Sequence, residues 1–506
     1  MHRVLVANRG EIALRIIRGC HEEGLEAVAV YSDIDRDARH VRAADFAVHI
    51  GGSPPSESYL RIDRIIDAAK QSGADAIHPG YGFLSERAEF AEAVMASGLT
   101  FIGPPPGAIA AMGDKTAARR RMREAGVPVV PGSVEPLDSA AAAAKAARTI
   151  GYPILLKAAA GGGGRGMRVI RTEEEIQNAF VAAQSEAFAA FGDQRIYLER
   201  YLEGPRHIEI QILADAHGRV IALGERECSV QRRHQKLIEE APSVAVRPAV
   251  RRAMGEAAVR AAQAVRYVSA GTVEFLMLPN GDFYFLEMNT RLQVEHPVTE
   301  LVYGVDLVRM QLKIAMGHHL SLPERALEPR GWAIECRITA EDPFADFMPA
   351  GGVISGLRLP EGPGVRWDGW IEQGSEVPLH YDSLLGKLVV WGESRERAIK
   401  RMRRALNELV ICGVPTSREF HQRAMHEPSF VAGSIDIGYW DRVGKALMGR
   451  GPDQQLVQDA AVAAALLEHE QRGSGKPSGQ LNDSASVDRG RGSAWREAAR
   501  REGLRP

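Results

Sequence analysis

The sequence predicts a mixed α/β chain of several domains, with a parallel sheet first and antiparallel strands later. Three observations carry that prediction. Near the N-terminus, short apolar runs alternate with helical patterns. The segment Thr272 to Pro297, TVEFLMLPNGDFYFLEMNTRLQVEHP, reads as two apolar strands joined at the turn dipeptide Asn280-Gly281. A length of 506 residues at 45% hydrophobic content is enough for several packed domains.

HRVLVA, EAVAVYS and ADAIHPG are the first strands, and Glu11–Cys20, Arg61–Lys70 and Arg87–Ala96 carry apolar residues at helical spacing. That order implies a parallel sheet covered by helices. HPGYGFLSE, His78 to Glu86, falls at the end of such a strand, where open α/β sheets bind ligands. Gly80 and Gly82 let the backbone bend sharply around Tyr81. A helix from about Lys115 stops at Gly126 ahead of Pro128 and Pro131, which marks a boundary. In the next module, Pro131 to Tyr201, the strand PILLKA leads into GGGGRGM, Gly161 to Met167, and MRVIR reads as another strand.

The glycines match G-x-G-x-x-G, but a dinucleotide fingerprint needs a helix next and a P-loop needs Gly-Lys-Ser/Thr. What remains is a mobile glycine hairpin that lays backbone N–H groups over phosphates, or a plain surface loop. Lys157, on the apolar strand before it, favours the first, because a buried lysine wants an anionic partner. IYLERYL, ending at Leu202, offers backbone groups to a base such as adenine, although structure alone accounts for it. HIEIQIL puts His207, Glu209 and Gln211 on one strand face and three isoleucines on the other. QRRHQK, Gln231 to Lys236, is either a solvated basic face or an anion cradle built on Lys236 or His234.

With Asn280 and Gly281 as the loop, Glu274 lies directly opposite Glu287. Two carboxylates facing each other in an apolar sheet repel, and a divalent metal held by oxygen ligands relieves that. Strict alternation along the second strand then puts Glu287, Asn289, Arg291, Gln293 and Glu295 on one face. A half-solvated edge strand would give the same alternation. In AIECRITAEDP, Glu335 and Arg337 share one face, and an ordinary cross-strand ion pair is enough to explain Arg337. A break near Pro323–Arg330 precedes a strand-rich segment, Trp332 to Trp391, and a helix from about Arg395 to Leu409.

Net charge −2 and pI ≈ 6.8 give no reason to expect nucleic acid or an anionic membrane as partner. Cys20, Cys228, Cys336 and Cys412 are far apart and fit a reducing cytosol. No apolar run approaches a membrane span, and the start shows no signal-peptide layout, so a cytoplasmic protein is expected. Beyond Arg450, Asp453–Glu470 reads as an Ala-rich helix, Arg472–Gly492 as disordered, and Ala494–Gly503 as a short basic helix.

Taken together the segments resemble biotin carboxylase, the ATP-grasp component of biotin-dependent carboxylases. The resemblance is carried by NRGEIALRI, HPGYGFLSE, MGDK, KAAAGGGGRGMR, ERYLE, PRHIEIQ, CSVQRRHQK, GTVEF, EMNTRLQVEHPVTE, ECRI and YDSLLGKL, in the family's order over roughly residues 1–446. It implies a Rossmann-like N-terminal domain (1–113), an ATP-grasp domain (114–325, lid about 131–203), a strand-rich biotin carboxylase C-terminal domain (332–446) and a helical or disordered tail (447–506).

The resemblance also implies a chemistry. Lys115, Lys157, Gly163, Gly164, Glu199, Arg200, Tyr201, Leu202, His207, Gln231 and His234 match nucleotide-binding positions, with Glu274 and Glu287 beside them. Glu274, Glu287 and Asn289 match ligands of Mg²⁺ or Mn²⁺. Lys236, Arg291, Gln293 and the backbone of Val294 match the bicarbonate site, and Glu295 the base that takes its proton. The bicarbonate oxyanion attacks the γ-phosphoryl group of ATP to give carboxyphosphate, which breaks down to CO₂ and phosphate, and the phosphate takes the ureido N1 proton of biotin. Arg337 matches the residue that stabilises the biotin enolate, with Tyr81 nearby.

There is no Met-Lys dipeptide and no sign of a carboxyltransferase domain, so biotin is expected on a separate carrier protein, with separate carboxyltransferase subunits. A homodimer is the family expectation. Acetyl-CoA is the favoured final acceptor, with other acyl-CoAs or pyruvate as alternatives. A different ATP-grasp ligase making an acyl phosphate, or a non-catalytic protein of the same fold, are the competing readings. The tail is expected to dock a partner protein.

Overall fold

The computed structural model describes residues 1–133, 135–158, 167–191, 193–322 and 328–449, with a few helical positions between 458 and 466. Met1–Gly449 form one compact unit and Arg450–Pro506 a second.

The chain starts as predicted, with a parallel sheet. Arg3–Val6 lies at its centre, between Glu26–Ser32 and Ala76–His78. Helices cover it, so Val4, Leu5 and Val6 are wholly buried. Two edge strands escape the sequence reading, Phe46–Gly51 and Thr100–Phe101. The first is half exposed and its apolar run is broken by His49, and the second is only 2 residues long. The helix Gly10–Glu22 leaves the first strand at once and is buried on most sides.

A small antiparallel sheet follows, with Ile154–Ala158 between Arg168–Ile170 and Ile196–Arg200. The helices Ala140–Ile150 and Ile176–Phe191 cover it through a separate core that includes Ile154, Phe180 and Leu198. Gly163 and Gly164 lie outside the described residues.

The third layer is an eight-stranded antiparallel sheet. In spatial order it runs Phe283–Asn289, Ser269–Met277, Arg206–Ala214, Val220–Arg232, Gln235–Ala241, Trp332–Thr339, Leu384–Gly392 and Val365–Gly369. Ile208, Ile210 and Ile212 pack on one face against Met254 and Ala258 of the helix Pro248–Ala264. The break expected near Pro323–Arg330 interrupts the chain but not the sheet, because Gln235–Ala241 pairs directly with Trp332–Thr339. Residues 323–327 themselves lie outside the described set. The helix Arg395–Glu408 begins at Ser394, whose Oγ accepts the Arg397 N–H at 3.3 Å. In the second unit, positions 458–459, 461–463 and 465–466 are helical, and the remainder of the predicted tail elements lies outside the described residues.

Candidate active site

Glu274 and Glu287 do stand directly opposite each other. The turn that brings them together differs from the predicted one. The Leu278 N–H donates to the Asp282 carbonyl at 2.8 Å, which closes a three-residue turn over Pro279–Gly281, with Gly281 at φ 98°. Pro279 has no N–H to give to the ladder, so it takes the first turn position. A register shift between the Glu274 and Phe275 pairs then absorbs the displaced residue. The two departures cancel, and the opposed carboxylates survive.

The second strand does not continue to Glu295. It ends at Asn289, and the Thr290 N–H donates to Glu86 Oε1 at 3.1 Å instead of to a neighbouring strand. Residues 291–295 form a loop into the helix His296–Tyr303, whose first turn holds Pro297. Arg291, Gln293 and Glu295 therefore converge through a loop rather than by strand alternation.

At the centre of the polar face sits Lys236. Its Nζ donates to Glu209 at 2.6 Å, Glu274 at 3.0 Å and Glu295 at 2.6 Å. Glu274 also accepts from Asn289 Nδ2 at 2.8 Å and Gln293 Nε2 at 2.7 Å, and His207 Nε2 lies 2.9 Å from it. Burial alone would raise the Glu274 carboxyl, but Lys236 and His207 hold it well below the usual carboxylate range. Glu287 has no cation in hydrogen-bond contact. Burial and the charge of Glu274 raise it, and Lys115 Nζ stands 3.9 Å away. Two carboxylates and the Asn289 amide oxygen are hard donors, and they leave a repulsion that a divalent cation would relieve, so these residues fit Mg²⁺ or Mn²⁺.

Glu295 is 2% exposed. Burial opposes its charge, yet Lys236, Arg337 and Arg226 pull its carboxyl far below the ordinary range. Arg337 bridges two acids, with Nη2 on Glu295 at 2.7 Å and Nε on Glu239 at 2.6 Å. It is thus more than a cross-strand pair. Burial, which outweighs the attraction of Arg337, lifts Glu239 to about 7, and it lifts Glu335 well above the carboxylate range too. Arg291 is turned toward Glu86 at 2.9 Å and Asn289 Oδ1 at 3.1 Å. Tyr81 is half-buried, between Gly80 at φ 64° and Gly82 at φ 70°. Asn8 Nδ2 fixes that loop by donating to the Pro79 and Tyr81 carbonyls, both at 2.8 Å.

Beside the hairpin lies an open cleft of about 220 Å³, lined by Met112, Lys115, Phe285, Glu287, Met288 and Asn289. Lys157 Nζ donates to Glu199 at 2.6 Å, and Arg119 pairs with the same carboxylate. Burial, with Arg119 and Lys115 close by, brings Lys157 down to about 8. The Arg200 and Tyr201 N–H groups donate to the Pro131 and Pro153 carbonyls, so those two donors are engaged within the protein, and Leu202 is buried beside them. Gln231 Nε2 meets His207 Nδ1 at 3.0 Å. Arg233 and His234 form the hairpin tip at φ 49° and 65°, with His234 exposed. QRRHQK is therefore both things at once, a solvated tip and, through Lys236, a buried cation.

Sequence reasoning missed several residues of this site. Arg226 is fully buried and donates to Gln211 at 2.7 Å, Thr299 at 2.9 Å, Thr272 at 3.0 Å and Gln293 at 2.9 Å, besides pairing with Glu209. Glu86 and Glu239 hold Arg291 and Arg337. For Arg226 and Glu239 the available signal was consecutive charged residues within an apolar strand, as in IALGEREC and LIEEA.

Residues 1–109 match the profile of the biotin carboxylase N-terminal domain, residues 114–323 that of the carbamoyl-phosphate synthase L chain ATP-binding domain, and residues 335–442 that of the biotin carboxylase C-terminal domain. A biotin carboxylase of Nostoc sp. is 54% identical over 443 residues, 88% of this chain and 99% of the relative. A pyruvate carboxylase subunit from Methanothermobacter thermautotrophicus is 49% identical over 489 residues, 93% of this chain and 99% of the relative. Among solved structures, a Campylobacter jejuni biotin carboxylase described as a β,γ-ATP complex superposes with a TM-score of 0.82 at 49% identity, covering 87% of this chain and 98% of that one. The biotin carboxylase domain dimer of Hydrogenobacter thermophilus 2-oxoglutarate carboxylase, described with MgADP and bicarbonate, superposes with a TM-score of 0.81 at 47% identity, covering 88% and 98%.

Proposed function

The chain belongs to the biotin carboxylase family of ATP-dependent ligases, and from that premise we propose that it carboxylates biotin borne on a separate carrier protein. Bicarbonate and ATP are the other substrates, and the carboxybiotinyl carrier, ADP and phosphate the products. The observation that carries this reading is the unbroken array Glu274–Lys236–Glu295–Arg337, which runs along the polar face of the sheet from the opposed carboxylates to its other end.

In this reading the four domains divide as 1–113, 114–325, 332–446 and 447–506. Lys115, Lys157 and the glycine lid containing Gly163 and Gly164 hold the phosphates, and Glu199 to Leu202, His207, Gln231 and His234 surround the nucleotide. Glu274, Glu287 and Asn289 hold the divalent ion, which neutralises phosphate oxygens when bound. Lys236, Arg291, Gln293 and the Val294 backbone bind bicarbonate, and Tyr81 and Arg337 face biotin.

Glu295 acts as the base. Paired with Lys236 and Arg337, its carboxylate is too weakly basic to take a proton efficiently. An anion drawn to Lys236 and Arg291 competes for Lys236, the cation that depresses Glu295 most, so substrate binding itself raises its proton affinity. Glu295 then takes the bicarbonate proton, and the oxyanion attacks the γ-phosphoryl group. We assign Arg337 to stabilising the negative charge that develops on the ureido oxygen as N1 gives its proton to the departing phosphate.

Acetyl-CoA is the acceptor we favour for the carboxyl group, supported by several relatives named simply biotin carboxylase, from Nostoc to plant chloroplasts. A 2-oxo acid acceptor is the second reading, because the match to the Methanothermobacter pyruvate carboxylase protein reaches over 93% of the chain, against 88% for the Nostoc enzyme. A carrier protein, carboxyltransferase subunits and a homodimer complete the proposal. No described helix is long and apolar enough to cross a membrane. ATP hydrolysis that requires both bicarbonate and free biotin is the expected result. Hydrolysis indifferent to either one would refute the reading.

A further inference from the structure

Two motifs have no part in the scheme above, NRGEIALRI and YDSLLGKL, and they meet in the interior. Lys387, on the strand Leu384–Gly392, is wholly buried. Its Nζ donates to the Val294 carbonyl at 2.8 Å and lies 3.0 Å from Glu11 Oε1. Glu11, on the helix Gly10–Glu22, is 4% exposed and accepts the Tyr81 hydroxyl on that same oxygen. Its other oxygen is buried without a partner. The Val294 carbonyl belongs to the peptide that joins Val294 to Glu295, so Lys387 grips the backbone right beside the base.

A buried ion pair whose only task is packing is replaceable by apolar residues of similar volume at little cost. Here both hydrogen bonds that leave the pair end on candidate substrate-binding elements, Tyr81 and the Val294–Glu295 peptide. Asp368 and Arg337 face Lys387 across the strands and are paired with Arg366 and with Glu239 and Glu295, whereas the nearby Glu335 is buried without a hydrogen-bond partner among the described residues and has Lys387 as the largest opposite charge acting on it, and His296 is buried beside them.

We propose that Lys387 and Glu11 are positioning residues that tie the bicarbonate loop at Val294–Glu295 to Tyr81, so that the base and the biotin site keep a fixed separation. The inference rests on the biotin carboxylase reading. It predicts a defect in coupling rather than in nucleotide binding, since neither residue approaches Lys115 or the cleft.

The test uses the full chain. Lys387→Met leaves Glu11 without its cation, and the near-isosteric Glu11→Gln/Lys387→Met double variant removes both charges together. Both are expected to lower kcat for bicarbonate- and biotin-dependent ATP hydrolysis by about tenfold or more and to raise the KM for bicarbonate, with the KM for ATP unchanged, as small misplacements of reacting groups do. Tyr81→Phe, which cuts the link at its far end, is expected to raise the KM for biotin alone. A double variant that melts like wild type and keeps wild-type kinetics overturns the proposal. So does a loss spread equally over all three KM values. A wild-type enzyme whose hydrolysis needs neither bicarbonate nor biotin is a different failure, which removes the functional reading itself.

Discussion

The two ends of the polar face of the eight-stranded sheet differ in how completely their charges are paired. At the hairpin end, Glu287 faces Glu274 across the strands, and Lys115 stays 3.9 Å off. At the other end, Arg337 contacts Glu239 and Glu295 together, and Lys387 meets Glu11 and the Val294 carbonyl. The first end leaves Glu287 without a close cation, and the second engages each of its two cations, Arg337 and Lys387, twice. An incomplete end is where a ligand must supply charge, and a complete end is where geometry is set in advance. A nucleotide with its metal ion suits the first, and a neutral ureido ring that becomes charged only during reaction suits the second.

The widest break is expected where the two ends meet. Glu295→Gln keeps the shape of the side chain but removes the proposed base, and should lower bicarbonate-dependent ATP hydrolysis by ~10²–10⁴ with ATP binding retained. Steady-state kinetics and nucleotide titration check this, and wild-type turnover in the variant would remove Glu295 from its role. At the incomplete end, Glu287→Gln should raise the Mg²⁺ concentration needed for half-maximal hydrolysis by on the order of 10–100-fold. An unchanged Mg²⁺ dependence would mean that the opposed carboxylates do not bind the ion.

The complete end should respond less, and in kcat rather than in ATP affinity. Glu239→Gln keeps an acceptor for Arg337 but not a titrating one, and a several-fold fall in kcat is expected, of the order of one weakened charge-assisted hydrogen bond. The sign of the pH effect also follows. Burial raises Glu239 from 4.5 to about 7 in the folded chain, so its contribution to stability is full below 4.5 and is lost as the pH climbs through 7. The melting temperature of wild type should therefore fall between pH 5 and about 7.5 relative to that of Glu239→Gln. Parallel curves for the two proteins would place the titration elsewhere. The smallest effect is expected off the sheet altogether. Lys400 donates to Glu396 at 2.6 Å on an exposed helix face, and Lys400→Ala should move the melting temperature by no more than about 1 °C.

Much of the local order was legible. HIEIQIL and AIECRIT show their faces in the sequence, and the structure buries Ile208, Ile210, Ile212, Ile334, Cys336 and Ile338 in apolar clusters opposite the polar rows. The opposed glutamates were legible too, although a three-residue turn and a register shift both had to occur for them to meet. What escaped was partner choice. Lys236 joins Glu209, Glu274 and Glu295 across 27, 38 and 59 positions, and Glu86 reaches Arg291 across 205. The extension of the strand to Glu295 failed for a related reason, since Glu86 takes the Thr290 N–H that another strand would have needed.

The sequence by itself therefore determined the faces of the regular strands such as HIEIQIL and AIECRIT, because alternation is a property of the covalent backbone, and the family to which the order of motifs points. The tertiary structure decided which acid neutralises which cation and that one sheet spans the break before Trp332. Those choices depend on burial and on charges brought together from distant parts of the chain, and periodicity carries no record of either.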